Sequence, residues 1–360
     1  AVIAAGLLAP GAISAAEVTP ELVDSVFYPY KDGVPKVPGI EVGMTINKDN
    51  WEVARDVLAE PALQQLRAGR FEITVGPTHD NPPPEAYVEA TKRYAGQVRL
   101  QPDGNLDYSS YTAGLPFPVI RKDDPKAGLK LAWNHRYYYF GETQRNFARW
   151  DYVNSKGDVE RSLRTDFRIM YWKARSYFPA SESCPQCDIE NELVIPHPSD
   201  MWRTDWLLFT SPFDVANFQF LQHRYEDDMI EDQNWFYLPN LRRVRRGSAS
   251  QKADSLLGSD HTLDDFNSFQ GKVHRVEWTF AGEKVMLVPG YVEADAPTNG
   301  GFLDSYPQDP WELRHVMVIE GHEKDPKHPY SRRLLIMDKQ TLGHYHMSFA
   351  WDQKGDLWKA

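Results

Sequence analysis

The sequence predicts a mainly β, α+β fold built around a strongly curved, open antiparallel sheet. Aromatic residues make up 13% of the 360 residues, with 11 Trp, 18 Tyr and 17 Phe, and flat rings pack well on a pleated sheet. From Leu129 onward, aromatic-rich runs alternate with turn signals such as residues 155–158. Six or more consecutive strands of this kind form a curved antiparallel sheet or a half-open β-barrel.

The chain begins with a pattern typical of an export signal. The run AVIAAGLLAPGAISAAE is apolar and ends in small residues, Ser14, Ala15 and Ala16, that suit a cleavage site. A buried N-terminal helix is the weaker alternative, because Pro10 and Gly11 interrupt the run. Since the initiator and the basic n-region are absent, we expect residues 1–16 to be the remnant of a signal peptide on an exported protein.

The remaining chain divides into two parts. Residues 17–128 predict an extended arm up to residue 43, then a helix pair or a kinked helix broken at Glu60-Pro61. A short strand and a proline-rich turn follow before another helix. Residues 129–360 predict the curved sheet, in one continuous domain with the preceding helices. Within this second part we expect a strand from Leu129, a hairpin connection at 281–283 and a solvated acidic loop at 227–233.

Composition and motifs point away from nucleic acids and catalysis. The net charge of -11 opposes phosphate binding by the whole protein, although a local basic patch remains compatible with it. The sequence contains no GxSxG, GxxxxGK, GxGxxG after a strand, or HExxH. His344 and His346 share a strand face but lack a recognisable third metal ligand. We therefore expect no enzyme activity, no metal and no cofactor.

The two cysteines agree with export. Cys184 and Cys187 enclose Pro185-Gln186 in a loop-like stretch. In an oxidising compartment this pair most simply forms a small disulfide. A redox motif would need a helix N-terminus in a βαβ context, and a zinc site would need two further ligands, of which only His197 is near in sequence.

Several predicted strands carry a one-sided aromatic face. Such a face either packs against a helix, which these residues alone favour, or lines a cavity for an apolar ligand. The candidate ligand-binding residues are Trp235, Tyr237, Val276, Trp278, Phe280, Tyr345, Met347, Phe349 and Trp351.

Four arginines follow the aromatic strand that begins at Asn234. On a strand, Arg242 and Arg246 share a face with Val244, and Arg243 and Arg245 lie on the other face. One interpretation is an edge strand protected from pairing by its charge. The other is a docking surface for acidic partners or anionic lipid headgroups, because guanidinium groups bind carboxylate and phosphate bidentately.

The same stretch carries a family resemblance. WFYLPNLRRVRR followed by SLLGSDHTLDDF resembles a segment of an exported Gram-negative family of outer-membrane lipoprotein-sorting-like proteins. FEITVGPTH, GLPFPVI, AWNHRYYYFGE, GKVHRVEWTFAGEKVMLVP, DPWELRHVMVIEG and DQKGDLW follow the family's order, so the match covers about residues 71–358. The family continues beyond the point where this chain stops, and we expect a missing C-terminal portion. The CPQC loop departs from the family's pattern.

The resemblance implies a fold similar to the lipoprotein carriers LolA and LolB, with helices on the concave side of a half-open barrel. It also implies periplasmic residence, with association at the outer membrane, and partners among transporters of the resistance-nodulation-division (RND) superfamily or outer-membrane proteins. A lipid, an acyl chain or another hydrophobic small molecule is the implied cargo. The resemblance implies no catalytic residues and raises the cavity interpretation of the aromatic faces.

Two functions remain open from the sequence. The first is a periplasmic carrier or binding protein for a lipid, a lipoprotein acyl chain or another apolar molecule. The second is a non-catalytic structural adaptor that docks on a transporter or outer-membrane partner through the arginine-rich strand.

Overall fold

The computed structural model describes residues 18–176, 194–247, 255–292, 297–343 and 346–360. Four α-helices lie in the first 140 residues: α1 (Pro20–Phe27), α2 (Glu60–Arg67), α3 (Glu85–Tyr94) and α4 (Ala127–Tyr137). Short 3-10 helices connect other elements at Trp51–Ala54, Ala95–Gln97, Tyr108–Ser110, Pro239–Leu241, Leu263–Ser268, Val273–Arg275 and Phe302–Asp304.

Two large antiparallel sheets follow the helices. Two small pairs precede or join them: β1 (Thr45–Ile46) with β2 (Ile73–Thr74), and β10 (Asn299–Gly300) with β11 (Tyr306–Pro307). The six-stranded sheet is a meander of β3 (Thr143–Val153), β4 (Val159–Tyr171), β5 (Arg203–Ser211), β6 (Gln219–Arg224), β7 (Gln233–Leu238) and β8 (Arg243–Arg246).

The five-stranded sheet has the order β15-β14-β13-β12-β9. Its strands are β9 (Val276–Val288), β12 (Glu312–Glu323), β13 (Tyr330–Asp338), β14 (His346–Asp352) and β15 (Leu357–Lys359). Every pairing within the two large sheets is antiparallel, and neither sheet closes on itself among the strands described. The predicted mainly β fold with open antiparallel sheets is confirmed.

Helix α4 replaces the strand that we expected from Leu129. Its buried residues lie all around the helix rather than along one stripe. They are Ala127, Gly128, Leu131, Ala132, Trp133, Asn134, His135 and Tyr137. The strand prediction is wrong because a helix that is covered on every side has no 3.6-residue apolar period by which to recognise it.

Two further local predictions are wrong. Residues 281–283 do not form a hairpin connection, because β9 runs through them and pairs with β12 on both sides of a register shift at Val318/Ile319. This register shift is a β-bulge, in which one extra residue bends the strand without ending it. The N-terminal arm contains α1, which starts at Pro20 after Thr19 accepts a hydrogen bond from the Leu22 amide.

The predicted elements between the arm and α4 are confirmed. The sequence broken at Glu60-Pro61 forms a 3-10 turn followed by α2, with the proline in the first turn of the helix. The proline-rich turn leads into α3, as expected. The strand predicted at residues 71–75 is the short β2.

Both faces of the five-stranded sheet are covered. On one face, Trp278, Met317 and Met337 belong to the core cluster around α4. On the opposite face, Val318 and Ile336 pack in a cluster that includes Ala59 and Ala62 at α2. The sheet is therefore the middle layer between two sets of helices.

Gly128 sets the close approach of α4 to β9. A Cβ atom at this position would lie 2.7 Å from backbone atoms of Trp278 and Thr279. We expect Gly128→Ala to lower the free energy of unfolding by about 1–3 kcal/mol, as overpacking does, although alanine usually suits a helix better than glycine. Urea denaturation measures the change.

Gly96→Ala is the matched control, since the nearest atom to its new methyl group would be Val18 Cβ at 3.9 Å. The control should unfold like the wild type. A Gly128→Ala protein as stable as the control would contradict the close packing of α4 on β9.

Candidate functional site

A pocket of about 330 Å³ lies where α1, α3 and the end of α4 meet the loop after β13. This volume is in the range of small-molecule sites. Aromatic, proline and leucine side chains dominate its lining. The lining residues are Phe27, Asn81, Pro82, Pro83, Pro84, Tyr87, Leu115, Tyr138, Tyr139, Gln340, Thr341 and Leu342.

Local sequence shapes the walls of this pocket. Three consecutive prolines fix an extended approach to α3 and present ring carbons in place of backbone N–H donors. On the other side, Gly343 allows the ring of Tyr138 to pass close to the backbone. A Cβ atom at position 343 would lie 2.0 Å from Tyr138 Cε2, so a larger residue would displace that wall.

Two polar side chains of the pocket, Tyr87 and Gln340, already form hydrogen bonds with the protein. The Tyr87 hydroxyl donates to the Tyr137 carbonyl at 2.7 Å. Gln340 Nε2 donates to the Phe27 carbonyl at 2.8 Å and to Asp80 Oδ1 at 2.6 Å. Burial raises the pKa of Tyr87 well above its usual value, which keeps the phenol neutral. The surface that these residues offer is therefore apolar and uncharged.

A buried ion network holds the Gln340 wall in place. Arg314, fully buried on β12, donates from Nη2 to Gln340 Oε1 at 2.9 Å and from Nε to Asp338 Oδ1 at 2.7 Å. It also contacts Glu312 Oε2 at 3.0 Å, and Glu312 Oε1 lies 2.7 Å from His79 Nδ1. His79 is thus joined to this structural network through Glu312.

A second buried network anchors the last turn of α4. Arg136 Nη1 lies 2.7 Å from Asp228 Oδ1, and both side chains are almost fully buried. Asp228 also accepts hydrogen bonds from the His274 amide at 2.9 Å and contacts the His274 ring at 2.8 Å. Burial alone would raise the pKa of Asp228, but Arg136, His274 and Lys272 outweigh it and hold the pKa at about 2.

The acidic loop at residues 227–233 was predicted to be solvated, and this prediction is wrong for two of its carboxylates. Asp228 and Asp232 are only 1% and 3% exposed. Asp232 pairs with Lys272 at 2.9 Å and with Arg224 at 3.3 Å. The loop folds inward because buried cations on α4, β6 and the segment before β9 stabilise these charges.

The space beneath α4 is too small for a lipid. A cavity of about 20 Å³ lies there, lined by Arg203, Arg224, Trp202 and Phe269 among others. It has room for about one water-sized group. Aromatic and buried charged side chains occupy the rest of this space.

The predicted ligand-binding residues lie in separate places. On β9, Val276 and Trp278 are buried against α4, and Phe280 packs at the edge of that cluster. Phe349 is buried on the opposite face of the sheet, with Met347 and Trp351 packed against the same cluster. Tyr345 lies outside the described residues.

The other predicted site residues lie on or beside the six-stranded sheet. Trp235 and Tyr237 are half-exposed on β7. Arg243, Arg245 and Arg246 belong to the exposed strand β8, and Arg242 precedes it in the left-handed region, with φ 48°. Cys184 and Cys187 lie outside the described residues. Ligand binding, docking and the disulfide stay predictions.

None of the site residues predicted from the sequence lines the 330 Å³ pocket. Two signals in the sequence mark it: the three prolines ahead of α3 and the tyrosine run that ends α4. No pattern in either segment shows that residues 340–342 complete the wall, since that contact joins positions more than 200 residues apart.

The described part of the chain contains neither a metal-binding cluster nor a membrane-spanning helix. No group of three or more His, Cys, Asp or Glu side chains in that part of the chain is arranged to hold a metal ion. Among the described helices, none combines the length and apolarity needed to cross a bilayer.

Asp228→Asn should lower the free energy of unfolding at neutral pH by about 3–5 kcal/mol, because it leaves Arg136 buried beside a neutral partner. The pKa of Asp228 is lowered in the folded state, so its own stabilising contribution is present above pH ~4 and is lost as pH falls toward 2. Urea denaturation at several pH values should show that the difference in the free energy of unfolding between the wild type and Asp228→Asn shrinks over this interval.

Asp123→Asn is the control, since Asp123 forms a pair with Arg121 that is exposed on both sides. Its effect should stay within about 1 kcal/mol. A loss for Asp228→Asn that is no larger than the control, or that does not change below pH 4, would contradict the buried pairing.

Comparison with known proteins identifies the family. A family model described as protein of unknown function (DUF1329) matches residues 45–360. An uncharacterized protein of Pseudomonas aeruginosa is 24% identical over 337 residues, which cover 88% of this chain and 67% of that protein.

Two solved structures are also similar. A DUF1329 family protein from Desulfovibrio piger is 20% identical, with 65% of this chain and 77% of that chain covered and a TM-score of 0.42. A LolA superfamily protein from Nitrosomonas europaea is 12% identical, with 62% and 70% covered and a TM-score of 0.30. Because the family model spans most of the sequence, the expected family relationship is confirmed, and this chain belongs to the DUF1329 family.

Proposed function

We propose that this protein is a periplasmic carrier that binds a lipid, an acyl chain or another apolar molecule in the pocket between α1, α3 and the end of α4. The observation that carries the proposal is an open volume of about 330 Å³ with a largely apolar lining. The resemblance of the sequence to lipoprotein carriers supports the same class of ligand and the periplasmic location.

The chemistry of the lining favours an apolar ligand over a polar one. Gln340 and Tyr87 direct their hydrogen bonds to the protein, so at these two side chains a polar ligand would lose its bonds to water without replacing them. Each methylene that leaves water contributes roughly 0.8 kcal/mol. Part of an acyl chain is therefore enough for useful binding without covalent chemistry.

The surroundings of the pocket suit reversible binding. Hydrogen bonds from the buried Arg314 network hold its inner wall in place. This support keeps the volume open when no ligand is present. Its outer wall is the exposed turn at Asn81 and the prolines that follow. A rigid wall facing an exposed turn gives a ligand a route in and out without unfolding of the core.

Asn81→Trp tests this proposal. Asn81 is exposed at the pocket, and the hydrogen bond that fixes its position comes from its backbone amide, 3.0 Å from Gln340 Oε1, so the indole can occupy the pocket without loss of that bond. We expect Nile red binding, followed by fluorescence titration, to weaken roughly tenfold, equivalent to about 1.4 kcal/mol.

Asn146→Trp, on the exposed edge strand β3, adds the same apolar group elsewhere and should leave the affinity unchanged. Lipid extraction and mass spectrometry of the protein from its native periplasm give a second readout. Equal binding by both variants, or no apolar molecule with the wild-type protein in either assay, would contradict the carrier.

A further inference from the structure

The outer face of the six-stranded sheet is only partly covered. Side chains alternate along β5, where Leu207 and Phe209 point into a buried cluster and Trp206 and Leu208 point the other way. The same alternation holds on β6, where Phe220 is buried and Leu221 is half-exposed. This outer face takes no part in the pocket described above.

The strand register aligns two rows of residues on this face, and we call these twelve residues the outer rows. With neighbouring strands about 4.8 Å apart, each row is roughly 24 Å long. One row is Phe147, Asp166, Leu208, Gln219, Tyr237 and Val244. The other row is Arg145, Arg168, Trp206, Leu221, Trp235 and Arg246.

The outer rows combine apolar and aromatic groups with high exposure at their ends. Phe147 on β3 is 72% exposed and Val244 on β8 is 63% exposed. Between them, Trp206, Trp235 and Tyr237 are half-exposed. Arg168 lies over the Trp206 ring at 4.8 Å, so aromatic and cationic groups share the same surface.

The outer face carries an excess of positive charge, whereas the chain as a whole is negatively charged. Arg145, Arg168 and Arg246 belong to the outer rows, and Arg149 pairs with Arg164 in the next position along β3 and β4.

Two carboxylates accompany these five arginines. Asp166 lies 2.9 Å from both Arg145 Nη2 and Arg168 Nη2, and Asp151 lies 2.8 Å from Arg149. Five arginines against two carboxylates leave a local excess of positive charge on a protein with a net charge of -11.

We propose that the outer rows dock on the surface of an anionic lipid membrane. Trp and Tyr favour the boundary between headgroups and acyl chains, and guanidinium groups bind phosphate oxygens bidentately. The acidic remainder of the protein is repelled by the same membrane, so this face is the one that turns toward it. Face-to-face pairing of two copies is opposed because it would bring the arginines together.

Strand β8 supplies a matched pair of variants. Arg246 pairs with Trp235 and lies in the outer rows, whereas Arg245 pairs with Phe236 and points to the opposite face. Both arginines are exposed on the same edge strand. Arg246→Glu and Arg245→Glu therefore make the same change of net charge at adjacent positions with opposite orientation.

The experiment is flotation of the purified full chain with vesicles of phosphatidylglycerol and phosphatidylcholine, compared with vesicles of phosphatidylcholine alone. We expect the wild type to bind the anionic vesicles, with weaker binding as salt rises. Arg246→Glu should reduce the apparent affinity roughly tenfold, and Arg245→Glu should reduce it less than threefold. Phe147→Ser, a change at an exposed side chain, should also weaken binding.

Three outcomes would overturn the proposal: no preference of the wild type for anionic vesicles, equal losses for the two arginine variants, or full binding by Arg246→Glu. Salt-sensitive binding to an acidic protein without vesicle binding would assign the face to a protein partner instead. Circular dichroism of each variant checks that it is folded. None of these outcomes bears on Nile red binding, so the docking surface and the carrier pocket are tested separately.

Discussion

The burial of α4 on every side is the constraint on which the rest of the structure depends. A helix without a solvated face must satisfy each of its polar side chains inside the protein. Asn134 does so through two hydrogen bonds with the backbone of Phe117, at 2.9 and 2.7 Å. The ring nitrogens of His135 lie 3.2 Å from the Leu342 carbonyl and 3.0 Å from the Asn267 carbonyl. Arg136 forms a buried ion pair with Asp228. These contacts reach both large sheets and the N-terminal part of the chain.

The same helix connects the fold to the candidate site. Its close approach to β9 at Gly128 leaves little space inside the sheets, where the cavity beneath it holds only about 20 Å³. The residues that follow it, Tyr138 and Tyr139, instead border the larger pocket at the periphery. The apolar volume thus lies beside the buried helix, at a wall that the Arg314 network supports, rather than in the hollow of the sheet. A ligand bound in this pocket would lie near the surface while the core stays closed.

Strand content, antiparallel topology and the helices α2 and α3 follow from the sequence, because alternation, turn residues and one-sided apolar stripes encode them locally. α4 does not, since Leu131, Trp133 and Tyr137 are covered from all directions and no single period marks them. Asp228 has the sequence context of a solvated loop, and its burial becomes favourable through groups distant in sequence, among them Arg136, 92 residues away. The pocket is predictable to the extent that three prolines and a tyrosine run are visible. Its closure by Leu342 depends on long-range packing that no local pattern contains.

The proposed ligand site is the pocket between the proline turn and Leu342, where an apolar molecule should bind. A crystal structure of the protein with a bromine-labelled long-chain alcohol tests it most directly, because anomalous scattering locates the bromine without interpretation of weak density. We expect a bromine peak among Pro83, Tyr139 and Leu342. A peak between α4 and the six-stranded sheet, or a saturated crystal with no peak in the pocket, would contradict it.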